Sequence, residues 1–275
     1  MNPAFKALQL KARHQVYTLL AGQNLSSLHG EGYDFAELRE YQIGDDIRKI
    51  NWMISAKLQK PYIKTFHANR ELSVVVAALM DSSLYFGSGN AKQKKLTEVA
   101  TLLGYATQQQ NDLFTGLCYT QTQTHTTPPT KQLYHIEGFC QTLFELPLLG
   151  TSIETTKATQ DIFKRIQRPS LLFVLGDFLE EIDLSLLAQK HEVIVIIIRD
   201  RTEESPKALG EVTLVNPKEN NKMKTYFGKR NIQKYLSKLH AHDKKLSTHF
   251  SQHDIRYVKV FTDEEVLRKL MGLFI

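Results

Sequence analysis

The most informative stretch of the sequence is residues 73–87, which run Ser73-Val-Val-Val-Ala-Ala-Leu-Met80 and then Asp81-Ser-Ser-Leu-Tyr-Phe-Gly87. An unbroken apolar run that ends in an aspartate and two serines is typical of a parallel strand buried on both faces, with a polar loop at its carboxyl end. Ligands bind at this end of the strands in open α/β sheets. The carboxylate and hydroxyls of this loop are hard oxygen donors, which magnesium, calcium and manganese prefer. The stretch therefore predicts a central strand and a candidate binding loop.

Two further apolar runs, residues 170–176 and 191–198, predict strands of the same kind. Patterns of amphipathic helices alternate with these runs, so we expect an α/β fold with a mostly parallel central sheet and helices on both faces. The remaining predicted strands lie at 62–66, 113–119, 211–215 and 256–261. Helices are predicted at 3–21, 96–106 and 135–146, from about 153, and at 181–190, 231–250 and 264–273.

The chain has 275 residues and a formal net charge of +6, with 35 Lys and Arg against 29 Asp and Glu. Because both signs are mixed along most of the chain, a solvated basic surface is favoured over a surface for an acidic partner. Two cysteines do not make a disulfide framework and favour buried thiols in a reducing compartment. Basic residues interrupt the apolar N-terminus, and no apolar run approaches the ~18 residues of a membrane span. We therefore expect a cytoplasmic protein.

Residues 26–57 form a long irregular segment with dense charge and interleaved aromatic residues. It contains the only tryptophan, Trp52, and little periodicity, which is typical of an ordered, functional connection rather than a flexible linker. Ion pairs of Asp45 and Asp46 with Arg39 and Arg48 could hold it in place. Two interpretations remain open: a brace around a buried Trp52, or a binding surface.

Three polar loops follow predicted strands or precede helices: 81–83, 150–152 and 176–177. Right-handed crossovers bring the carboxyl ends of parallel strands to one edge of a sheet, so we expect two carboxylates and several hydroxyls to meet there. The alternative is that Asp81 and Asp177 cap their loops by accepting hydrogen bonds from backbone N–H groups. The two roles are compatible.

One long segment resembles the signature of the bacterial family known as domain of unknown function 58. The matching residues are Gly30-Glu-Gly-Tyr-Asp-Phe35, Leu38-Arg-Glu-Tyr-Gln-Ile-Gly-Asp-Asp-Ile-Arg-Lys-Ile-Asn-Trp52 and Ala56-Lys57. The resemblance continues through Asp81, Gly150-Thr151, Gly176-Asp177-Phe178 and Thr262-Asp263-Glu264. It implies a von Willebrand factor type A fold, a Rossmann-like sheet with helices on both sides, over residues 71–275. The N-terminal helix and the signature segment would then occupy residues 1–70.

The resemblance also implies a metal-ion-dependent adhesion site, with the pattern Asp-x-Ser-x-Ser and a distal Thr and Asp. Asp81 and Ser83 match its first two positions, Thr151 its threonine and Asp177 its distal aspartate. Tyr85 stands where the pattern has its second serine. The implied cofactor is Mg²⁺, or Mn²⁺ or Ca²⁺ in its place. Asn51 stands where the family pattern often has an acidic residue.

Members of the family are associated with MoxR-type AAA+ ATPases, for which they are thought to act as partners or adaptors. The leading hypothesis is therefore a non-enzymatic protein–protein interaction module for such an ATPase, active in protein remodelling or complex assembly. The residues expected to bind the partner all lie in the signature segment: Arg39, Tyr41, Asp45, Asp46, Arg48 and Trp52.

Two alternatives belong to other functional classes. The first is a magnesium-dependent phosphohydrolase or nuclease that uses Asp81 and Asp177, but the loops contain no evident general base. The second is nucleic-acid binding through the basic stretch 222–245, although a single basic helix face favours a protein surface or plain solvation. Four histidines at 240, 242, 249 and 253 have a spacing that zinc could use, although a solvated helix face is favoured.

Overall fold

The computed structural model describes residues 2–24, 35–43, 45–66, 71–86, 91–121, 123–219 and 221–272. The chain divides into two compact units. The core unit comprises Met1–Leu19 and Leu72–Ile275, and the signature unit comprises Leu20–Glu71. The first helix, as far as Leu19, thus groups with the C-terminal part of the chain.

Strands and helices are numbered in chain order. The strands are β1 (Phe35–Glu40), β2 (Tyr62–Phe66), β3 (Ser73–Leu79), β4 (Leu113–Tyr119), β5 (Thr124–Thr126), β6 (Leu171–Gly176), β7 (Glu192–Arg199), β8 (Gly210–Val215), β9 (Lys222–Phe227) and β10 (Arg256–Phe261). The helices are α1 (Pro3–Asn24), α2 (Trp52–Leu58), α3 (Ala91–Gln109), α4 (Leu133–Glu145), α5 (Thr155–Arg165), α6 (Ser185–Ala188), α7 (Arg201–Glu204), α8 (Lys229–Gln252) and α9 (Val266–Met271).

The core unit is built on a six-stranded sheet with the order β10-β7-β6-β3-β4-β5. The strands from β10 to β4 pair in parallel, and β5 pairs antiparallel with β4 at one edge. From Val74 onward β3 is buried along its whole length, because it has a neighbouring strand on each side and helices on each face. The predicted mostly parallel sheet, with the apolar run of 74–80 at its centre, is confirmed.

Helices cover both faces of this sheet. Alternate residues of β3, including Val75 and Ala77, join one buried cluster with Ile162 of α5, Leu187 of α6 and Phe250 of α8. The opposite face carries α3 and α4. The two helices approach each other closely where a glycine leaves room. At Gly104 of α3, an added Cβ would lie 2.4 Å from the Ile136 side chain of α4.

The signature unit contains the antiparallel pair of β1 and β2 and the short helix α2. Only β2 of these elements was predicted. The sequence of β1 carries a charge at three of its six positions, and α2 buries none of its side chains, so neither shows a hydrophobic period. Local capping rather than a buried face defines α2: the Asn51 side chain accepts a hydrogen bond from the Ile54 N–H at 3.3 Å.

Other differences concern helix ends and the hairpin of β8 and β9. The helix predicted from about 153 begins at Thr155, and the predicted helix at 181–190 is a single turn, Ser185–Ala188. The strand β9, which pairs antiparallel with β8, was missed because its side chains are mostly exposed and lysines interrupt its apolar residues.

Both cysteines are free and buried as predicted, and burial raises the pKa of Cys118 and of Cys140 to about 12.

The close approach of β4 to α4 yields a stability test. A Cβ added at Gly116 would lie 2.6 Å from the Phe139 ring, so we expect Gly116→Ala to lower the free energy of unfolding by about 1–3 kcal/mol. Gly138 is exposed on α4 and has open space around the added atom, so Gly138→Ala should raise stability by about 0.5–1 kcal/mol. Urea unfolding of both variants measures the contrast. Equal stability of the two variants would contradict this packing.

Candidate functional site

The candidate site lies at the carboxyl ends of β3 and β6. The chain adds β4 on one side of β3 and β6 on the other, so the direction of strand addition reverses between β3 and β6. Open α/β sheets bind ligands in the crevice at such a point. A cavity of about 300 Å³ opens here, and its lining includes Asp81, Ser83, Asp177 and Lys218. The structure thus brings together three of the four predicted metal ligands.

Asp81 is held by its own loop and by the loop before α5. Its Oδ1 accepts hydrogen bonds from the Ser83 N–H and the Ser82 hydroxyl, both at 3.1 Å, and its Oδ2 accepts one from the Ile153 N–H at 3.3 Å. The carboxylate caps the 3-10 turn Ser82–Tyr85. This is the capping role that the sequence left open as the alternative.

Asp177 binds a lysine that the sequence did not indicate as functional. Its Oδ2 lies 2.9 Å from Lys92 Nζ, which lies 2.7 Å from Glu203 Oε1 as well. The Lys92 side chain has no exposed surface, and the Asp177 and Glu203 side chains are 7% and 6% exposed. An ammonium group is therefore enclosed between two buried carboxylates at the edge of the sheet. We name these three residues the Lys92 triad.

Each member of the Lys92 triad comes from a different element. Lys92 lies in the first turn of α3, Asp177 directly follows β6, and Glu203 lies in α7. Glu203 is oriented by a capping box, in which its Oε2 accepts a hydrogen bond from the Asp200 N–H at 2.8 Å. Burial acts to raise the pKa of Asp200, but hydrogen bonds from Thr202 and Thr262 and the charge of Lys92 lower it.

A signal for Lys92 was present in the sequence. It precedes Leu96, Val99 and Leu103 at helical spacing and so falls on the apolar face of α3. A lysine on such a face predicts a buried charge that needs a partner. The identity of the partners was not visible, because Asp177 and Glu203 are 85 and 111 residues away.

A second lysine reaches the crevice from the turn between β8 and β9. The Nζ of Lys218 lies 3.2 Å from Asp81 Oδ2 and also pairs with Glu180. Burial disfavours the charged form of Lys218, but its hydrogen bonds and ion pairs with Glu180 and Asp81 outweigh this and raise its pKa. The Gly150 N–H donates to the Pro217 carbonyl at 2.9 Å, so the same turn is fastened to the loop of Thr151.

Thr151 lies beside the Asp81 loop, but its side chain has another partner. Its hydroxyl donates to the Leu148 carbonyl at 2.7 Å, and its own carbonyl accepts a hydrogen bond from the Ser82 N–H at 3.3 Å. Tyr85 is partly exposed and lines a second cavity of about 740 Å³. The walls of that cavity are mostly apolar and include Phe86, Leu149, Val215 and Tyr235.

These contacts do not fit the divalent cation that the family resemblance implies. The Oδ2 of Asp177 is bound to an ammonium group, and the Asp81 carboxylate accepts three hydrogen bonds and lies 3.2 Å from Lys218 Nζ. Within the described ranges, no group of three or more His, Cys, Asp or Glu side chains could hold a metal ion. The ligand set Asp81, Ser83, Thr151 and Asp177 therefore stays a prediction that the observed contacts do not favour.

In the signature unit, one of the expected ion pairs forms through two hydrogen bonds. The Arg39 guanidinium binds the Asp45 carboxylate at 2.6 and 2.8 Å, and Asp45 also accepts a hydrogen bond from the Gln42 N–H. Asp46 instead accepts from the Arg48 backbone N–H at 3.0 Å and caps the turn Ile47–Lys49. Tyr41 is partly buried, and its N–H donates to the Pro61 carbonyl.

Trp52 is 68% exposed, so the interpretation of this segment as a brace around a buried tryptophan is wrong. Three other large apolar side chains of the same stretch are exposed as well: Ile43, Ile47 and Met53. The predicted partner-binding residues thus lie in a hydrogen-bonded segment with exposed apolar side chains.

Two histidines of α8 make hydrogen bonds to the backbone, and the described residues contain no group of three or more His, Cys, Asp or Glu that could hold zinc. His249 Nε2 accepts from the Leu184 N–H at 3.1 Å, and His242 Nε2 lies 2.8 Å from the Phe178 carbonyl. Burial lowers the pKa of His249, which keeps the ring neutral and able to accept a hydrogen bond.

The basic stretch 222–245 is divided between β9 and α8. Among the described residues, no helix is both long and apolar enough to cross a bilayer.

Comparison with family models identifies the chain. The model for the protein of unknown function DUF58 matches residues 37–245, most of the sequence. The chain belongs to the DUF58 family.

Two mycobacterial proteins are similar in sequence to this DUF58 chain. The uncharacterised proteins Mb1516 of Mycobacterium bovis and Rv1480 of Mycobacterium tuberculosis are each 24% identical to it over 218 residues. The matched region covers 77% of this chain and 69% of each relative.

Two solved structures are similar at lower identity. The conserved hypothetical protein BatB from Bacteroides thetaiotaomicron has a TM-score of 0.43 and 10% identity, over 74% of this chain and 97% of that chain. An aerotolerance-related membrane protein from Bacteroides fragilis has a TM-score of 0.41 and 11% identity, over 74% and 96%. Similarities of this size do not decide the fold or the function of the DUF58 chain.

The cap of α2 yields a prediction for this DUF58 protein. Asn51→Ala removes the acceptor for the Ile54 N–H and should lower the stability of the helix by about 1 kcal/mol. Asn51→Asp should be close to neutral, because a carboxylate accepts the same hydrogen bond and is favourable at a helix N-terminus. The fluorescence of Trp52, the only tryptophan, reports on this helix during urea unfolding. Identical midpoints for the Ala and Asp variants would rule out the cap.

Proposed function

We propose that this DUF58 protein is a non-enzymatic protein–protein interaction module of the von Willebrand factor type A class. In this proposal it works in the cytoplasm as an adaptor of a MoxR-type AAA+ ATPase, in protein remodelling or complex assembly. The observation that carries the proposal is the exposure of Trp52 and its apolar neighbours on a segment whose backbone is fixed by hydrogen bonds.

The exposed side chains have the composition of a protein interface. Trp52 and Met53 are 68% and 73% exposed, and Ile43 and Ile47 lie within ten residues of them in the chain. Tryptophan and methionine are enriched at interfaces, and tryptophan is also enriched at binding hot spots. The bidentate pair of Arg39 with Asp45 and the cap at Asn51 order this segment before any partner binds, which limits the entropy lost on binding.

The strand order supports the proposed von Willebrand factor type A fold. If the six strands of the sheet are numbered in chain order, the sheet is arranged 6-5-4-1-2-3. This is the order of a Rossmann-like doubly wound sheet, here with the third strand antiparallel at one edge. The candidate crevice then lies at the place where proteins of this architecture bind their ligands.

The contacts of the crevice favour binding over hydrolysis. A phosphohydrolase or nuclease that used Asp81 and Asp177 would need these carboxylates to hold a metal ion or to activate water. In this chain each carboxylate accepts backbone N–H groups and also lies beside a lysine ammonium. Such contacts occupy the oxygen atoms that would otherwise hold a metal ion or take a proton from water.

The choice of a MoxR-type ATPase as the partner rests on the family resemblance. The signature segment carries that resemblance, and the exposed apolar residues lie in the same segment. A surface for nucleic acid is less well supported, since Lys245 at the end of the basic stretch pairs with Glu181.

The single tryptophan allows a direct test of the proposal. Labelling with 5-fluorotryptophan gives one ¹⁹F resonance, from Trp52. We expect this resonance to shift when the unlabelled MoxR-type ATPase from the same genome is added, because the indole leaves water on binding. In a pull-down, Trp52→Ala should weaken the complex by about 30-fold, the loss of a hot-spot side chain.

Tyr134 supplies the matched control. It is an aromatic residue of α4 in the core unit and is 81% exposed, so Tyr134→Ala should leave the affinity unchanged. A ¹⁹F resonance that does not respond to saturating ATPase, or equal weakening by both variants, would refute the proposed surface. Phosphate release from nucleotides that Asp81→Ala abolishes would instead establish the enzyme alternative.

A further inference from the structure

The Lys92 triad presents a cation at Asp177, one of the four residues that the family resemblance implies as metal ligands. Lys92 Nζ lies 2.9 Å from Asp177 Oδ2 and 2.7 Å from Glu203 Oε1, and both carboxylates are buried. The ring of Phe86, the residue directly after the Ser82–Tyr85 turn, has its centroid 5.8 Å from the same nitrogen. Two carboxylates and an aromatic ring thus surround the ammonium group.

Water does not compensate for the charge of Lys92, because its side chain has no exposed surface. A buried ammonium is costly unless carboxylates pair with it, and two buried carboxylates are costly unless a cation lies between them. The three groups are therefore stable only together. Removing the ammonium would leave two buried like charges, which is the situation that a bound metal ion otherwise relieves.

A divalent ion and this ammonium are not compatible at Asp177. Magnesium binds carboxylate oxygens at about 2.0–2.1 Å, and Asp177 Oδ2 already lies 2.9 Å from Lys92 Nζ. Two cations sharing this oxygen would repel each other at short range, in a site with little water to screen them. The other oxygen of Asp177 accepts the Leu179 N–H, at 3.4 Å.

We propose that the Lys92 ammonium is the resident cation of this site and takes the place of a divalent metal ion. Lys218 makes a second, partly exposed ammonium contact of the same kind at Asp81. The crevice therefore works without a metal ion. In this proposal no carboxylate of a partner completes a metal coordination shell there. This inference does not depend on which partner the protein binds.

Titration with the metal ions alone tests the replacement. The full chain, freed of metal with a chelator, is titrated calorimetrically with Mg²⁺ and with Mn²⁺ at millimolar concentrations, and its thermal unfolding midpoint is followed in parallel. We expect no saturable binding and no shift of the midpoint. One-to-one binding of either ion that is lost in Asp177→Asn would overturn the proposal.

Lys92→Met and Lys218→Met compare the same substitution at a fully buried lysine and at a partly exposed one. We expect Lys92→Met to lower the unfolding midpoint by about 6 °C or more, since it leaves Asp177 and Glu203 unpaired, and Lys218→Met to lower it much less. If Lys92→Met does not fold, the triple variant Lys92→Met/Asp177→Asn/Glu203→Gln, which carries no unpaired charge, should fold. Equal midpoints of wild type and Lys92→Met would contradict the proposal.

Discussion

The contact on which the candidate site depends is the ammonium of Lys92 between the carboxylates of Asp177 and Glu203. It joins the start of α3, the end of β6 and α7, three elements that are distant in the sequence. Hydrophobic packing can bring these elements to the edge of the sheet, but it has no directional preference. The ion pairs fix the positions of the loops, because a displaced member of the triad would leave a buried charge without a partner.

The same constraint determines the chemistry of the crevice. Parallel strands bring Asp81 and Asp177 to one edge, where bare carboxylates would repel each other or bind a cation. In this chain lysines from α3 and from the β8–β9 turn provide the positive charge. The carboxylates become part of the framework, and exposed apolar side chains lie elsewhere, on the signature unit and, separately, around the cavity that Tyr85 lines.

The sequence predicted correctly the part of the fold that is built from long apolar strands. The runs that became β3, β6 and β7 are buried on both faces, so the apolar runs predicted strands, and their alternation with amphipathic helices predicted parallel pairing. The short elements β1 and α2 were missed because hydrogen bonds and a cap define them rather than a buried face. The exposure of Trp52 could not be foreseen, since aromatic residues among charges occur both in cores and at interfaces.

The candidate site was predictable in its location but not in its partners. The loops of Asp81 and Asp177 were expected to meet because strand ends meet, and they line one cavity. The tertiary contacts of Lys92, Glu203 and Lys218 are not encoded by any local pattern, although a lysine on the apolar face of α3 was a usable sign.

The most direct test of the central claim is a crystal structure of the protein grown with Mn²⁺ and measured for anomalous scattering. The account predicts Lys92 Nζ within hydrogen-bond distance of both carboxylates and no anomalous peak near Asp177. An anomalous peak bound to Asp177, with Lys92 displaced, would contradict it.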